Sequence, residues 1–221
     1  MTLDKSPQKI QKMFNTIASK YDFINNIMSL GTHKIIKSDC IKKSNIKPDY
    51  KVLDLCCGTG DLTSIIKKYT QNVTGIDFSD KMLEIARKKV KNTEFFQGDA
   101  TALPFPDNTF DIVTIGFGLR NIQNPEKAVE EIYRVLKPNG LFMHLDFGEK
   151  NILSRIFDKT IPIFIKIFGQ NIDAYSYLIK SKQEFLTPNE LIKDFESKGF
   201  VLKSCYSYMF SVISCQIMRK L

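Results

Sequence analysis

Gly58 and Gly60, two residues apart in KVLDLCCGTGD, stand among four carboxylates: Asp54 and Asp61 flank them, Asp77 follows about twenty residues on, and Asp99 lies further still. Glycines there let backbone approach a ligand closely, and an acid at the position of Asp77 can accept from ribose hydroxyls. A dinucleotide site would need a third glycine and a helix N-terminus open to pyrophosphate. Asp61, Leu62 and Thr63 follow instead, so a carboxylate stands where a phosphate would sit. Four acids together repel NAD and suit a ligand that is cationic near its reacting atom. S-adenosylmethionine, a sulfonium carrying an ammonium group, is such a ligand; the plainer alternative is that the glycines only make a turn.

The surrounding pattern supplies elements to hold these groups. Val52 to Cys56 is an apolar run of strand length, and Leu62, Ile65, Ile66 and Tyr69 then recur at helical spacing. NVTGIDFSD gives a second strand ending in Asp77, and Ser79 caps a helix marked by Met82, Leu83, Ile85, Ala86 and Val90. Glu94 to Gln97 is a short strand with Gly98, Asp99 and Ala100 just past its end, where a carboxylate could accept an adenine amino group. Phe110 to Ile115 reads as a strand buried on both faces. GFGLRN follows it and sets Gly116, Arg120 and Asn121 at the mouth of a crevice. A helix from Pro125, a stop at KPNG and a strand from Leu141 to Phe147 complete a doubly wound α/β unit.

Outside this unit, residues 6–44 form a helical cap with Ile10, Met13, Phe14 and Ile17 on one face; the stretch 18–34, broken at Gly31, sets Tyr21, Asp22 and Asn25 near the ligand mouth. Residues 150–186 are an insert rich in Ile and Phe, with Pro162 inside and Arg155, Lys159 and Lys166 interspersed. It reads as a lid over an apolar pocket, an amphipathic face for a membrane interface, or plain packing on the sheet. Thr187 and Glu190 make a capping box, and residues 200–206 and 212–218 form a closing hairpin. One domain is expected over residues 1–221: cap 1–50, cofactor core 51–149, insert 150–186, and closing helix and strands 187–221.

The formal net charge of +8 is unevenly spread. Residues 1–50 carry nine lysines against four acids and 150–221 carry eleven basic residues against six, while 51–149 are slightly acidic. The excess therefore lies outside the cofactor unit, as a solvated surface or as a face for an anionic membrane or RNA. RNA is disfavoured because no aromatic and basic stacking platform is evident. No apolar run reaches the ~20 residues of a membrane span, so the expected location is the cytoplasm, with peripheral contact at the inner face of the membrane as the alternative. Five cysteines without a CxxC pair and two histidines in unrelated contexts argue for reduced thiols and against a metal site.

VLDLCCGTGD, GIDFSDKML, GDATALPFPDNTFDIVTIGFGLRNI and YRVLKPNG together resemble the ubiquinone and menaquinone C-methyltransferases, within the class I S-adenosylmethionine-dependent methyltransferases. FNTIASKYDFINNIMSLGTHK and AYSYLIKSKQEFLTPNELIKDFESKGF extend the likeness towards both ends. The resemblance implies a seven-stranded, mostly parallel sheet with a final antiparallel hairpin, and methyl transfer to a ring carbon of a prenylated benzoquinol or naphthoquinol. It carries the cofactor contacts onto Thr59, Asp77, Asp99 and Ala100 and the acceptor side onto Arg120, Tyr21 and Asn121; with the residue pattern, the expected cofactor set is Asp54, Gly58, Thr59, Gly60, Asp77, Phe78, Asp99, Ala100 and Gly116. Gly116 stands where some members carry a small hydroxyl residue, and LDFGEK replaces the commoner EFSKP-like stretch. A sulfonium methyl is already activated, so catalysis needs in-line placement and an electron-rich acceptor carbon rather than a covalent nucleophile. The remaining alternatives are methylation of another small molecule or of RNA, and a catalytically silent interaction subunit; self-association into a homo-oligomer is left open.

Overall fold

A computed structural model of the chain describes residues 3–156, 158–160 and 172–221. Its centre is a seven-stranded sheet in the order β3-β2-β1-β4-β5-β7-β6. The strands are β1 (Val52–Leu55), β2 (Val73–Asp77), β3 (Glu94–Gln97), β4 (Phe110–Gly116), β5 (Leu136–Phe147), β6 (Phe200–Tyr208) and β7 (Ile213–Lys220). The first five are parallel, and β7 runs antiparallel to both β5 and β6. This matches the expected class, closing hairpin included.

Alternation along the strands sends side chains to two cores. Leu53, Leu55, Val113, Ile115 and Phe142 pack on one face with Val129, Ile132, Leu191 and Phe195, from α5 (Pro125–Val135) and a later helix, α7 (Pro188–Ser197). Val52, Ile112, Met143 and Ile217 pack on the other with Ile41, Leu62 and Ile66, from α2 (Thr32–Lys43) and α3 (Asp61–Ile66). The capping box at Thr187 and Glu190 starts α7 as expected. β5 begins at Leu136 rather than Leu141, because Leu136 already pairs with Phe110 and the KPNG residues loop out before Leu141 pairs with Ile112.

The cap is more regular than its sequence suggests. α1 (Pro7–Ser29) runs unbroken through the mixed stretch after residue 18, ending at Leu30 in the left-handed conformation. Ile10, Phe14, Ile17, Tyr21, Ile24 and Met28 recur every three or four residues, so one helical face stays apolar while the residues between are polar. That face packs on Met82 of α4 (Asp80–Lys89) and Ala174 of α6 (Ile172–Glu184). Within the insert, residues 152–156 and 158–160 are helical and α6 completes it; Pro162 and Lys166, with the rest of the Ile and Phe run over 161–171, lie outside the described residues.

Candidate active site

The strand order reverses at β1, whose neighbours are β2 on one side and β4 on the other, and open α/β sheets bind ligands in the crevice at the carboxyl ends of strands flanking such a point. Two chambers lie there. The first encloses about 1010 Å³, part of it open to solvent, between the ends of β1, β2, β3 and β4 and the start of α1. Its floor is backbone. Gly58 sits at φ +54°, and a Cβ added there meets nothing within 4 Å, so its missing side chain leaves space in the cleft. The Gly58 amide donates to one oxygen of Asp77 and the Ser79 amide to the other, both at 2.8 Å, which fixes the carboxylate against the glycine turn. Burial pushes the Asp77 carboxyl up, and the amides of Ser79, Gly58 and Phe78 oppose that rise. Phe78, Asp99, Ala100 and Asn121 also line this chamber. α1 straps it closed: Gln11 Nε2 donates to the Phe78 carbonyl at 3.1 Å and Asn15 Nδ2 to Asp80 at 2.8 Å.

The second chamber, about 1160 Å³ and also partly open, shares Tyr21, Cys56, Gly58, Gly116 and Phe117 with the first. Met28, Leu62, Phe147, Leu178, Ile179 and Ile213 form an apolar stretch of its wall, beside the charged groups of Lys37, Asp54, Asp61 and Lys182. Arg120 enters this lining from the 3₁₀ turn Leu119–Asn121, which follows β4. Its Nη1 donates to Asp146 Oδ1 at 2.8 Å and to the Phe117 carbonyl at 2.7 Å, and its guanidinium lies 5.1 Å from the centre of the Phe147 ring. Arg120 and Asp146 are both buried, and among the described residues Arg120 Nε, Asp146 Oδ2 and Asn121 Oδ1 have no hydrogen-bond partner. Burial raises the Tyr21 phenol above its ordinary range, keeping it a proton donor on the wall between the chambers.

The carboxylates do not act as one acidic cloud. Asp54 lines the second chamber, not the first, and accepts from the hydroxyls of Thr63 at 2.5 Å and Thr114 at 2.8 Å. Burial outweighs those bonds and pushes its carboxyl up to about 6. Asp61 also suffers burial, but His33, Lys37 and Lys89 together hold it well below the usual carboxylate range. With Lys37 at 3.2 Å and Lys89 at 2.7 Å it is paired, so its charge repels a phosphate less than the sequence suggested. Thr59 belongs to this network, donating to Asp22 of α1 at 2.5 Å, and lines only the second chamber. Gly60 lines neither chamber. At φ +80° it backs onto α4, where a Cβ would come within 3.2 Å of Ala86 and 3.3 Å of Val90.

Gly58, Asp77, Phe78, Asp99, Ala100, Gly116, Asn121 and Tyr21 therefore meet at the first chamber, whereas Asp54, Thr59 and Arg120 face the second. Sequence reasoning missed Asp146, Phe117, Phe147, Leu178 and Ile179. A carboxylate inside the largely apolar LFMHLDF was the available signal for Asp146.

Residues 2–220 match the model of the ubiE/COQ5 methyltransferase family. The chain belongs to that family. As a member of the ubiE/COQ5 family it is an S-adenosylmethionine-dependent methyltransferase. Among its relatives is the demethylmenaquinone methyltransferase of Staphylococcus aureus, strain JH9, 39% identical over 206 residues that cover 88% of this chain and 86% of that protein. The fold is shared more widely. A Thermotoga maritima protein described as an S-adenosylmethionine-dependent methyltransferase, possibly acting on histamine nitrogen, superposes with a TM-score of 0.75 at 19% identity, covering 96% of this chain and all of that one. The cyclase SpnF superposes at 0.71 with 15% identity over 97% and 96% of the two chains. One frame thus serves different chemistries, and the family's reaction has to be read from the site.

Proposed function

We propose that the protein transfers a methyl group from S-adenosylmethionine, held in the first chamber, to a ring carbon of a prenylated quinol held in the second. The observation that carries this is the shared wall. Tyr21, Cys56, Gly58, Gly116 and Phe117 border a cleft with a carboxylate fixed by backbone amides on one side and a cleft with a buried guanidinium on the other.

When bound, S-adenosylmethionine supplies a methyl group already activated by its sulfonium. Asp77 accepts from the ribose hydroxyls, and the open space over Gly58 lets the cofactor lie against backbone. The apolar walls of the second chamber hold the acceptor ring and the first part of its tail, excluding water. Arg120 stays protonated and is no base. Its role is electrostatic: directly or through one water, it stabilises the negative charge that grows on the quinol oxygen as its proton leaves and the ring becomes nucleophilic. Tyr21, kept neutral by burial, donates a hydrogen bond that orients the ring. The likeness to the S. aureus enzyme favours a naphthoquinol over a benzoquinol acceptor.

The test is to incubate the purified protein with methyl-labelled S-adenosylmethionine and a reduced short-tail demethylnaphthoquinol, the corresponding benzoquinol or bulk RNA. Label should enter the naphthoquinol ring first, the benzoquinol more slowly and RNA not at all. Label on RNA, or on neither quinol, overturns the proposal.

A further inference from the structure

Three segments far apart in sequence expose large apolar side chains side by side. Leu30, at the left-handed end of α1, is 88% exposed, and Ile35, one turn into α2, 70%. Met209 and Phe210 form the tip between β6 and β7, with Phe210 83% exposed. Ile152, at the start of the insert, is 74% exposed. Contacts join the segments: Thr32 Oγ1 lies 3.9 Å from the Met209 sulfur, and Asn151 Nδ2 donates to the Phe210 carbonyl at 2.7 Å. The tip is held at a conformational cost, because Met209, Phe210 and Ser211 all have positive φ, at 48°, 55° and 67°, a region unfavourable to bulky side chains. Folding therefore holds a phenylalanine out in water.

The patch borders the second chamber. Leu30 follows Met28 and Ser29, both wall residues; Phe210 lies three residues before the wall residue Ile213; and the turn after Ile152 is tied to α6 by Lys182, another wall residue, through the Ser154 carbonyl at 3.3 Å. Its charge is positive. Lys34, Lys150, Arg155 and Lys159 are exposed around it, while the acids at or just before the insert's start are Glu149, half-buried, and Asp158, held by Lys182 at 2.5 Å.

We propose that this patch docks on an anionic lipid surface, with Leu30 and Phe210 entering the acyl boundary and the basic rim facing the headgroups, so that the second chamber opens toward the membrane. The proposal rests on the reading of the acceptor as a prenylated quinol, whose tail makes lipid its reservoir. A second copy of the chain is a poorer occupant, since a two-fold pairing would set the same four cations against themselves.

Sedimentation with vesicles of phosphatidylglycerol and phosphatidylcholine, at low and high salt, tests this with the full chain. Leu30→Asn and Phe210→Asn together are the informative variant, because asparagine accepts the left-handed conformation at both positions. Wild type should bind the mixed vesicles at low salt, bind less at high salt and bind poorly to phosphatidylcholine alone. The double variant should bind about 100-fold more weakly, with unchanged methylation of a water-soluble short-tail quinol. Equal binding by the variant, or no binding by wild type, overturns the proposal. So does a wild-type dimer that the substitutions dissociate without any vesicle effect. Loss of short-tail methylation in wild type itself would overturn the substrate reading instead.

Discussion

The two chambers share five wall residues but are built in different ways. The first is made largely of backbone and short turns at the ends of β1 to β4, with side chains of α1 closing it over, and its key carboxylate is fixed by two amides. The second is made of side chains from α1, α2, α3, β5, α6 and β7, and its key cation is fixed by a buried carboxylate on a different strand. A backbone-built site survives changes in most side chains and holds a common cofactor. A side-chain-built site exists only after distant elements dock, so it can be shaped to one acceptor.

The largest expected effect lies in the second chamber. Asp146→Ala leaves the Arg120 guanidinium buried without its partner and should cost about 3–5 kcal/mol of stability, read by urea unfolding. A loss within about 0.5 kcal/mol, as for an ordinary surface change, would mean the pair is not what shapes this chamber. In the first chamber, Asp77→Asn should weaken S-adenosylmethionine and S-adenosylhomocysteine alike by about 1.5–3 kcal/mol in calorimetry, the scale of a hydrogen bond to a charged group. Unchanged affinity would remove the cofactor from that carboxylate.

Asp54 sharpens the comparison through pH. Its carboxyl, pushed up to about 6, holds its proton more tightly in the folded chain than in the unfolded one, where the ordinary value is 3.8. The folded state therefore binds more protons between about pH 4 and 6, and stability from this group falls as pH rises through that window and is level above it. Thermal melts should show Asp54→Asn gaining on wild type across that interval. A cationic sulfonium nearby favours the ionised form, so S-adenosylmethionine affinity should rise from pH 5 to about 7, by less than tenfold per unit, and more than that of S-adenosylhomocysteine. Parallel profiles for the two ligands would place Asp54 away from the sulfur. The smallest effect is expected at the shared wall, where Tyr21→Phe should lower turnover by less than about tenfold and leave cofactor affinity nearly unchanged, as for one neutral hydrogen bond. A larger loss would give the phenol a share in activating the acceptor.

The same contrast explains what was legible in the sequence. The glycine turn, Asp77, Asp99 and the GFGLRN loop could be placed because each is tied to a strand end by a few residues. The closing hairpin was legible for the same reason. The packing of Gly60 was not legible, because a turn glycine that meets a ligand and one that clears a neighbouring helix look alike until α4 is in place. The charge on Asp61 was overstated because Lys37 and Lys89 reach it from helices on either side of it in the chain. Asp146 was passed over because only the sheet brings β5 beside β4 and sets its carboxylate against Arg120. The helical continuity of α1 was hidden by polar residues that turn out to be its outer face.

Divided labour between the chambers is the central claim, and Arg120→Lys tests it most directly, because lysine keeps a positive charge beside Asp146 but loses the planar fork. Cofactor affinity by calorimetry and single-turnover methylation of a short-tail quinol at saturating cofactor should be measured on the same preparation. The account predicts a dissociation constant within about twofold of wild type and a methyl-transfer rate lowered by about tenfold or more. Weakened cofactor binding with an unchanged rate at saturation would contradict it.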